Sequence, residues 1–261
     1  MDEQLKNAVS KVPQVTLIFW IIKILATTLG ETGGDAVTMS WLGETTADAN
    51  GWGYLIGTGI FGLIFAVAVL IQIKAEKFHP FLYWFTIVAT TTVGTTLADY
   101  LTRSIGIGYT GGSAILLACV VASLLIWRFS TGSISITTVN TPRIEIYYWV
   151  TIMFSQTLGT ALGDWVVDEA EIGYLGSAAI FGAILLVVAA LYFWTSISRA
   201  LLFWIAFITT RPLGAVVGDF LDKPFEKGGL ELSRYTASLV LLVAIVVLIF
   251  IFKQEPAEEV H

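Results

Sequence analysis

Eight long apolar runs constrain this 261-residue chain more than any other feature. An apolar run of roughly 20 residues is long enough to cross the hydrocarbon core of a bilayer as a helix. Only 13% of the residues are charged, against about a quarter in ordinary soluble domains. We therefore predict an all-α membrane protein with eight transmembrane helices. The predicted spans are about 15–34, 53–73, 80–101, 108–127, 145–166, 173–194, 200–220 and 235–252.

The chain ends and the basic residues predict the orientation. The start, MDEQLKNAVSKVP, lacks the apolar segment of a cleaved signal peptide, so we expect the first helix to be an uncleaved insertion signal. Eight basic residues fall in one set of connections and four in the opposite set, which places both termini in the cytoplasm. The first set is Lys6, Lys11, Lys74, Lys77, Arg128, Arg143, Arg199 and Lys253, and the second is Arg103, Lys223, Lys227 and Arg234.

One nine-residue motif occurs four times. Each copy ends in Asp, has Gly five residues earlier, and follows a Trp that lies fifteen residues before the Asp. The next predicted helix opens with a Tyr that is followed three residues later by a small residue. The copies are TTLGETGGD (27–35), TTVGTTLAD (91–99), QTLGTALGD (156–164) and RPLGAVVGD (211–219); the Trp residues are 20, 84, 149 and 204, and the Tyr residues are 54, 109, 174 and 235.

Two helices for each motif predict four parallel two-helix hairpin repeats, because an even number of crossings returns the chain to the same side. Pro13 and Pro142 each precede a Trp by seven residues, which also suggests two four-helix halves, about 1–140 and 141–261. The predicted segments are a cytoplasmic N-terminal segment (1–14), repeats at 15–76, 77–140, 141–197 and 198–253, and a cytoplasmic tail (254–261).

The repeats resemble an uncharacterised family of bacterial integral membrane proteins with four tandem repeats, each of two transmembrane helices and a Trp. The resemblance covers about residues 12–253. It rests on FWIIKILATTLGE, FLYWFTIVATTTVGTTLAD, YYWVTIMFSQTLGTALGD and LLFWIAFITTRPLGAVVGD. It implies the repeat fold and the bacterial inner membrane, but no activity.

Each motif places polar residues on one face of its helix. At 100° per residue, the positions four and seven residues before the Asp lie within about 40° of it, and the stripe is about 12 Å long. Ionisable residues inside a membrane are costly and commonly functional. The predicted substrate pathway therefore includes Asp35, Asp99, Asp164, Asp219, Glu31, Thr28, Thr92 and Thr157.

The residue types of this stripe favour hard cations. His79 and His261 fall in predicted cytoplasmic segments and Cys119 is isolated, so a soft-metal site is not expected. Carboxylate and hydroxyl oxygens suit manganese, magnesium, calcium, sodium or protons. The predicted metal ligands are Asp35, Asp99, Asp164, Asp219 and Glu31.

Lys23 and Arg211 fall inside predicted helices and break the fourfold pattern. We expect each to pair with a carboxylate, with Glu31 and Asp35 the nearest candidates. Glu31 lies about 12 Å from Lys23 along the helix, so an acid from another repeat is the expected partner of Lys23. A purely structural ion pair and an anion site near the middle of the membrane are the alternatives.

Several functional classes do not fit the pattern. Thr-Val-Gly begins a potassium filter, but the linkers are too short for a pore helix and filter in every repeat. Enzyme motifs are not found, and the net charge of −6 disfavours nucleic acid.

The leading expectation is an inner-membrane transporter of a small solute, favouring a hard cation such as manganese or another divalent ion, with proton coupling. The alternatives are a non-transporting structural or stress-associated membrane protein, and an organic-ion or anion carrier that uses Lys23 and Arg211. The expected partners are the lipid bilayer and the solute, and no cofactor is expected. The sequence leaves open whether the protein forms a homodimer.

Overall fold

The structure, a computed structural model, describes residues 10–47 and 49–258. Lys6 and His261, which entered the sequence predictions, lie outside these ranges. Eight long helices and no strand beyond a single bridge are found in the described residues, so the all-α class is confirmed. The helices are α1 Leu17–Asp35, α2 Trp52–Lys74, α3 Pro80–Asp99, α4 Gly108–Thr131, α5 Pro142–Asp164, α6 Gly173–Trp194, α7 Arg199–Asp222 and α8 Arg234–Ile251.

The four motif-bearing helices, α1, α3, α5 and α7, form a closed inner ring. Each packs along the next one, and α7 packs along α1. The other four helices lie outside this ring. We compared the most apolar 18 residues of each helix. The protein buries 61% of them in α1 and in α7 and 72% in α3, but only 11% to 22% in the outer helices. The outer helices therefore carry most of the apolar surface that a bilayer would cover.

The inner helices run in the same direction, as the repeat pattern predicted. The hydroxyl of Thr91 donates to the carbonyl oxygen of Ala26 at 3.2 Å, and the hydroxyl of Thr95 donates to that of Gly30 at 3.1 Å. Both partners advance by four residues between these contacts. This is possible only when α1 and α3 are parallel.

The motif glycine is the point at which neighbouring inner helices touch. A Cβ atom on Gly30 would lie 2.1 Å from the Thr91 hydroxyl oxygen, closer than real Cβ atoms approach. The same contact occurs at all four interfaces, where each glycine meets the residue eight before the Asp of the next inner helix. The pairs are Gly30–Thr91, Gly94–Gln156, Gly159–Arg211 and Gly214–Thr27. The four helices therefore share one register.

The packing of the outer helices corrects the predicted hairpin. The two helices of one repeat are joined by a turn but hardly touch along their length. Instead, α2 packs along α3, α4 along α5, α6 along α7, and α8 along α1. Gly57 of α2 fits against both Thr38 and Thr96, so α2 lies where the first repeat meets the second. The last helix closes the circle on the first, with the Thr32 and Ser238 hydroxyls 2.9 Å apart.

The inner helices do not end at the motif Asp. A π-helical turn continues the helix over Ala36–Trp41, Tyr100–Ser104 and Trp165–Glu169, and α7 continues to Asp222. π-helical turns are rare and occur frequently at functional sites. Each motif Asp therefore lies inside a helix rather than at its C-terminus.

Two segments near the chain ends, residues 11–14 and 255–257, cover the opposite end of the ring. The amide of Gln14 donates to the Glu255 carbonyl oxygen at 2.7 Å, and the amide of Ala257 donates to that of Val12 at 2.8 Å. The Lys11 ammonium lies 2.6 Å from a Glu145 oxygen. These parts of the two predicted polar ends are packed against the helices, and the aromatic residues of the ring lie next to them.

Seven of the eight helices in the described residues are long and apolar enough to cross a membrane. The exception is α5, which carries Arg143, Glu145 and Gln156 among its polar residues. It occupies the same kind of place in the ring as α1, α3 and α7.

Replacing a ring glycine tests the close approach of the helices. We expect Gly30→Ala to destabilise the protein by at least about 1–3 kcal/mol, the usual effect of overpacking, because the new methyl group would overlap Thr91. Gly59→Ala is the control, since a Cβ there meets nothing within 4 Å. Thermal unfolding in detergent measures both. Equal stability of the two variants would contradict the packing described here.

Candidate functional site

Arg211 lies inside the ring and contacts the three other inner helices. Its Nη2 atom donates to Glu31 Oε2 at 3.0 Å, Thr95 Oγ1 at 2.7 Å and Thr160 Oγ1 at 2.5 Å. These three residues occupy one motif position, four residues before the Asp, where α7 has Ala215. Arg211 and Glu31 are buried. The pair was expected from the sequence, and it links all four inner helices at one level.

The four motif carboxylates lie one helical turn beyond the level at which Arg211 contacts Glu31, Thr95 and Thr160. We call Asp35, Asp99, Asp164 and Asp219 the aspartate ring. All four are buried. Arg103 bridges two of them: its Nε atom is 3.0 Å from Asp99 Oδ1, and its Nη2 atom is 3.0 Å from Asp164 Oδ2.

Lys223 bridges the other two members of the aspartate ring. Its ammonium lies 2.6 Å from Asp35 Oδ2 and 2.9 Å from Asp219 Oδ1. Burial alone would lower the pKa of this ammonium, but the carboxylates of Asp219 and Asp35 raise that pKa well above its ordinary value. Lys223 therefore stays charged and acts as a tethered cation between two helices.

The two bridging bases give the site a twofold pattern. Arg103 and Lys223 each follow their own Asp by four residues and also reach the Asp of the next repeat. The first and third repeats have Met39 and Asp168 at this position instead. This alternation agrees with two related four-helix halves.

Carboxylates outnumber bases at this end of the ring. The aspartate ring and Glu31 supply five acids, whereas Arg103, Arg211 and Lys223 supply three bases, so two carboxylates have no compensating base among these groups. Within the described residues, Asp35 Oδ1 and Asp99 Oδ2 are buried without a hydrogen-bond partner. Buried charge of this kind must be neutralised by protons or by a bound cation.

Three acids come close enough to share one ion. Glu31, Asp35 and Asp219 each place one carboxylate oxygen within 4.8 Å of the others. Oxygen ligands of calcium or magnesium lie roughly 2.0–2.6 Å from the ion, so this spacing fits one hard cation. Of the five predicted ligands, the structure brings these three together, whereas Asp99 and Asp164 form the other pair around Arg103.

A vestibule of about 860 Å³ lies next to the aspartate ring. Asp219 lines it together with the two bridging bases, Lys223 and Arg103, so the aspartate ring meets the vestibule at Asp219. The lining also includes the Tyr that opens the outer helix of every repeat. These are Tyr54, Tyr109, Tyr174 and Tyr235.

The predicted threonines have a local role. The hydroxyls of Thr28, Thr92 and Thr157 donate to backbone carbonyl oxygens four residues earlier in their own helices, at 2.8–3.0 Å. Their protons are therefore used within the helix, and a place in the pathway stays a prediction. Thr95 and Thr160, three residues further on, are the ones that contact Arg211.

Lys23 does not have the predicted carboxylate partner. Its ammonium is buried, lies 4.2 Å from the centre of the Phe207 ring, and has no hydrogen-bond partner in the described part of the chain. The prediction was wrong because no repeat carries an Asp or Glu at the depth of Lys23. An unpaired ammonium costs at least about 2.5–3.5 kcal/mol at the centre of a membrane helix.

The sequence analysis missed the two bridging bases. Arg103 and Lys223 were counted as loop charges on the outer side. Their spacing was a usable signal, since a base four residues after an acid lies on the same helical face.

A family model described as Repeat of Unknown Function (DUF347) matches residues 18–78, 82–133, 147–198 and 202–254. The chain belongs to this family. The resemblance drawn from the motifs is thereby confirmed. Searches of curated proteins and of solved structures found no match. Each DUF347 repeat contributes one inner and one outer helix. The contacts of the four motif glycines and of the two bridging bases, in contrast, join one DUF347 repeat to the next.

A double-mutant cycle tests the Arg211–Glu31 pair. Glu31→Gln or Arg211→Met alone leaves one buried charge unpaired, so each should lower the free energy of unfolding by about 3–5 kcal/mol. The double variant should recover part of this loss. Lys253→Met is the control, because that pair with Glu255 is on the surface. Unfolding in mixed detergent measures the effects; strictly additive losses would contradict a coupled pair.

Proposed function

We propose that the protein transports a hard cation across the bacterial inner membrane, with the aspartate ring as its binding site. One observation carries the proposal: five buried carboxylates, two of them unbalanced by a base, lie together inside the ring, and one of them, Asp219, lines an open vestibule. A purely structural network would be more stable with equal numbers of acids and bases, since an unbalanced buried charge is costly.

Lys223 supports a mechanism of cation exchange. Its ammonium contacts both Asp35 and Asp219 and so holds the two carboxylates together. A cation that enters from the vestibule would bind Glu31, Asp35 and Asp219, and Lys223 would withdraw because two cations repel each other in a site of low dielectric constant. Asp222, which pairs with Arg234 at 2.9 Å, is the neighbouring acid toward which Lys223 would move.

The chemistry of the site favours manganese or another divalent ion over soft metals. The ligand atoms are all carboxylate oxygens, which suit hard cations. Protons compete for the same oxygens, so proton coupling is part of the proposal. A proton on Asp99 or Asp164 would also neutralise the remaining unbalanced charge.

Transport further requires that the opposite end of the ring open. In this structure the Arg211 contact closes the ring beyond the aspartates, and aromatic side chains fill it nearer the chain termini. The Tyr83 and Tyr148 hydroxyls, for example, are 2.6 Å apart. We therefore assign the structure to a state that is open only at the vestibule, one of the two states that alternating access needs.

Ion flux into proteoliposomes tests this function. Manganese uptake, followed with an internal fluorescent indicator under an imposed proton gradient, should fall at least about tenfold in Asp35→Asn, because that change removes a ligand and a partner of Lys223. Asp168→Asn is the matched control, since Asp168 lines the vestibule but lies outside the aspartate ring.

Calcium, sodium and protons are assayed in the same vesicles. If none of these ions moves in the wild-type protein, or if both variants transport like the wild type, the acids have a structural role and the proposal fails.

Reporter fusions test the proposed orientation. Fusions after Lys77, Gly132 and Ser196 should report the cytoplasm, because these positions lie at the same end of the ring as the chain termini. Fusions near Asn50 and Ala170 should report the outside, where the vestibule would open. An exchange of the two patterns would place the vestibule in the cytoplasm.

A further inference from the structure

A second polar cluster lies inside the inner ring, on the side of Arg211 away from the aspartate ring. We call it the Lys23 cluster; its members are Lys23, Gln156 and Arg211. Five of their atoms are buried without a hydrogen-bond partner in the described residues: Lys23 Nζ, the side-chain oxygen and nitrogen of Gln156, and Arg211 Nε and Nη1. More than about 90% of buried polar groups are normally paired.

The shared register places the members of the Lys23 cluster at one depth. They lie between eight and twelve residues before the motif Asp of their own helix. Since the glycine contacts align the four helices at equivalent positions, the cluster occupies a layer about 6 Å thick.

Individual contacts bring the members together. Lys23 of α1 lies against the ring of Phe207, and Phe207 is one helical turn before Arg211 on α7. Gly159 of α5 meets the Arg211 side chain, and Gln156 is one turn before Gly159. Helices in contact lie about 8–10 Å apart, so groups from α1, α5 and α7 can reach one small ligand.

The charge of this layer is positive. Positions eight to twelve residues before the Asp include Lys23 and Arg211 but no Asp or Glu in any repeat. Glu31 binds Arg211 through Nη2 only, which leaves the Nε and Nη1 donors unused. Water could pair with these donors, but it would not neutralise the Lys23 ammonium.

We propose that the Lys23 cluster binds a small monovalent anion, of the size of chloride or formate. The ammonium of Lys23 and the free guanidinium donors of Arg211 supply the charge. The side-chain amide of Gln156 supplies a further donor. The site is separate from the proposed cation site, and anion binding does not depend on cation transport.

Thermal unfolding of the detergent-purified protein tests the anion site without any transport measurement. Sodium chloride replaces sodium gluconate at constant ionic strength, and sodium formate is a second probe. The melting temperature of the wild type should rise by roughly 4 °C or more as the anion saturates the site. A response to chloride alone, or to formate alone, identifies which anion the site accepts.

Lys23→Met separates specific binding from a general salt effect. This variant should be at least as stable as the wild type in gluconate, because an unpaired buried charge is removed, and it should not respond to either anion. Lys253→Met removes an exposed lysine and should keep the wild-type response.

Direct binding of radioactive chloride to the wild type, with unlabelled chloride as the competitor, is a second test. It does not need the Lys23→Met variant and can be used even if that variant does not fold. The proposal is overturned if neither chloride nor formate raises the melting temperature of the wild type, or if Lys23→Met keeps the full response. Where chloride is the anion that stabilises the wild type and formate is not, the proposal is also overturned if the wild type binds no labelled chloride.

Discussion

The close approach of the inner helices at their motif glycines is the constraint on which the rest of the structure depends. Small residues allow backbones to touch where the hydrophobic effect does not drive helices together. Because each of Gly30, Gly94, Gly159 and Gly214 meets the next helix at the same motif position, equivalent residues lie in layers. Arg211 can therefore reach three helices at one level, and the four motif acids lie together one turn further on.

The layers separate opposite charges within one ring of parallel helices. On the vestibule side of the Arg211–Glu31 pair, carboxylates exceed bases; on the other side, Lys23 and the free donors of Arg211 have no acid. Each side lacks a partner of the opposite sign, which is why we propose a cation on one side and a small anion on the other. The backbone repeats four times, but Arg103 and Lys223 give the charges a twofold pattern, as expected if the chain is two related halves.

Much of the fold could be predicted from the sequence, because apolar runs mark the helices and the spacing of Trp20, Gly30 and Asp35 recurs in every repeat. The inner helix on which each outer helix packs could not be predicted, because four similar repeats offer several equivalent pairings. The site was predicted in part: the motif acids were found, but the contacts of Lys223 with Asp219 and Asp35 were not. The predicted carboxylate partner of Lys23 was wrong because no repeat carries an acid at the depth of Lys23.

Cross-linking of α1 to α8 tests the closed ring most directly. The Thr32 and Ser238 hydroxyl oxygens are 2.9 Å apart, so cysteines at these positions suit the geometry of a disulfide. In a Cys119→Ala background, oxidation of the Thr32→Cys/Ser238→Cys variant should form a disulfide within one chain. This disulfide is detected by cleaving the chain between α6 and α7, because it keeps the two fragments together. Absence of this bond, or bonds between two chains only, would contradict the ring closure that creates the aspartate ring.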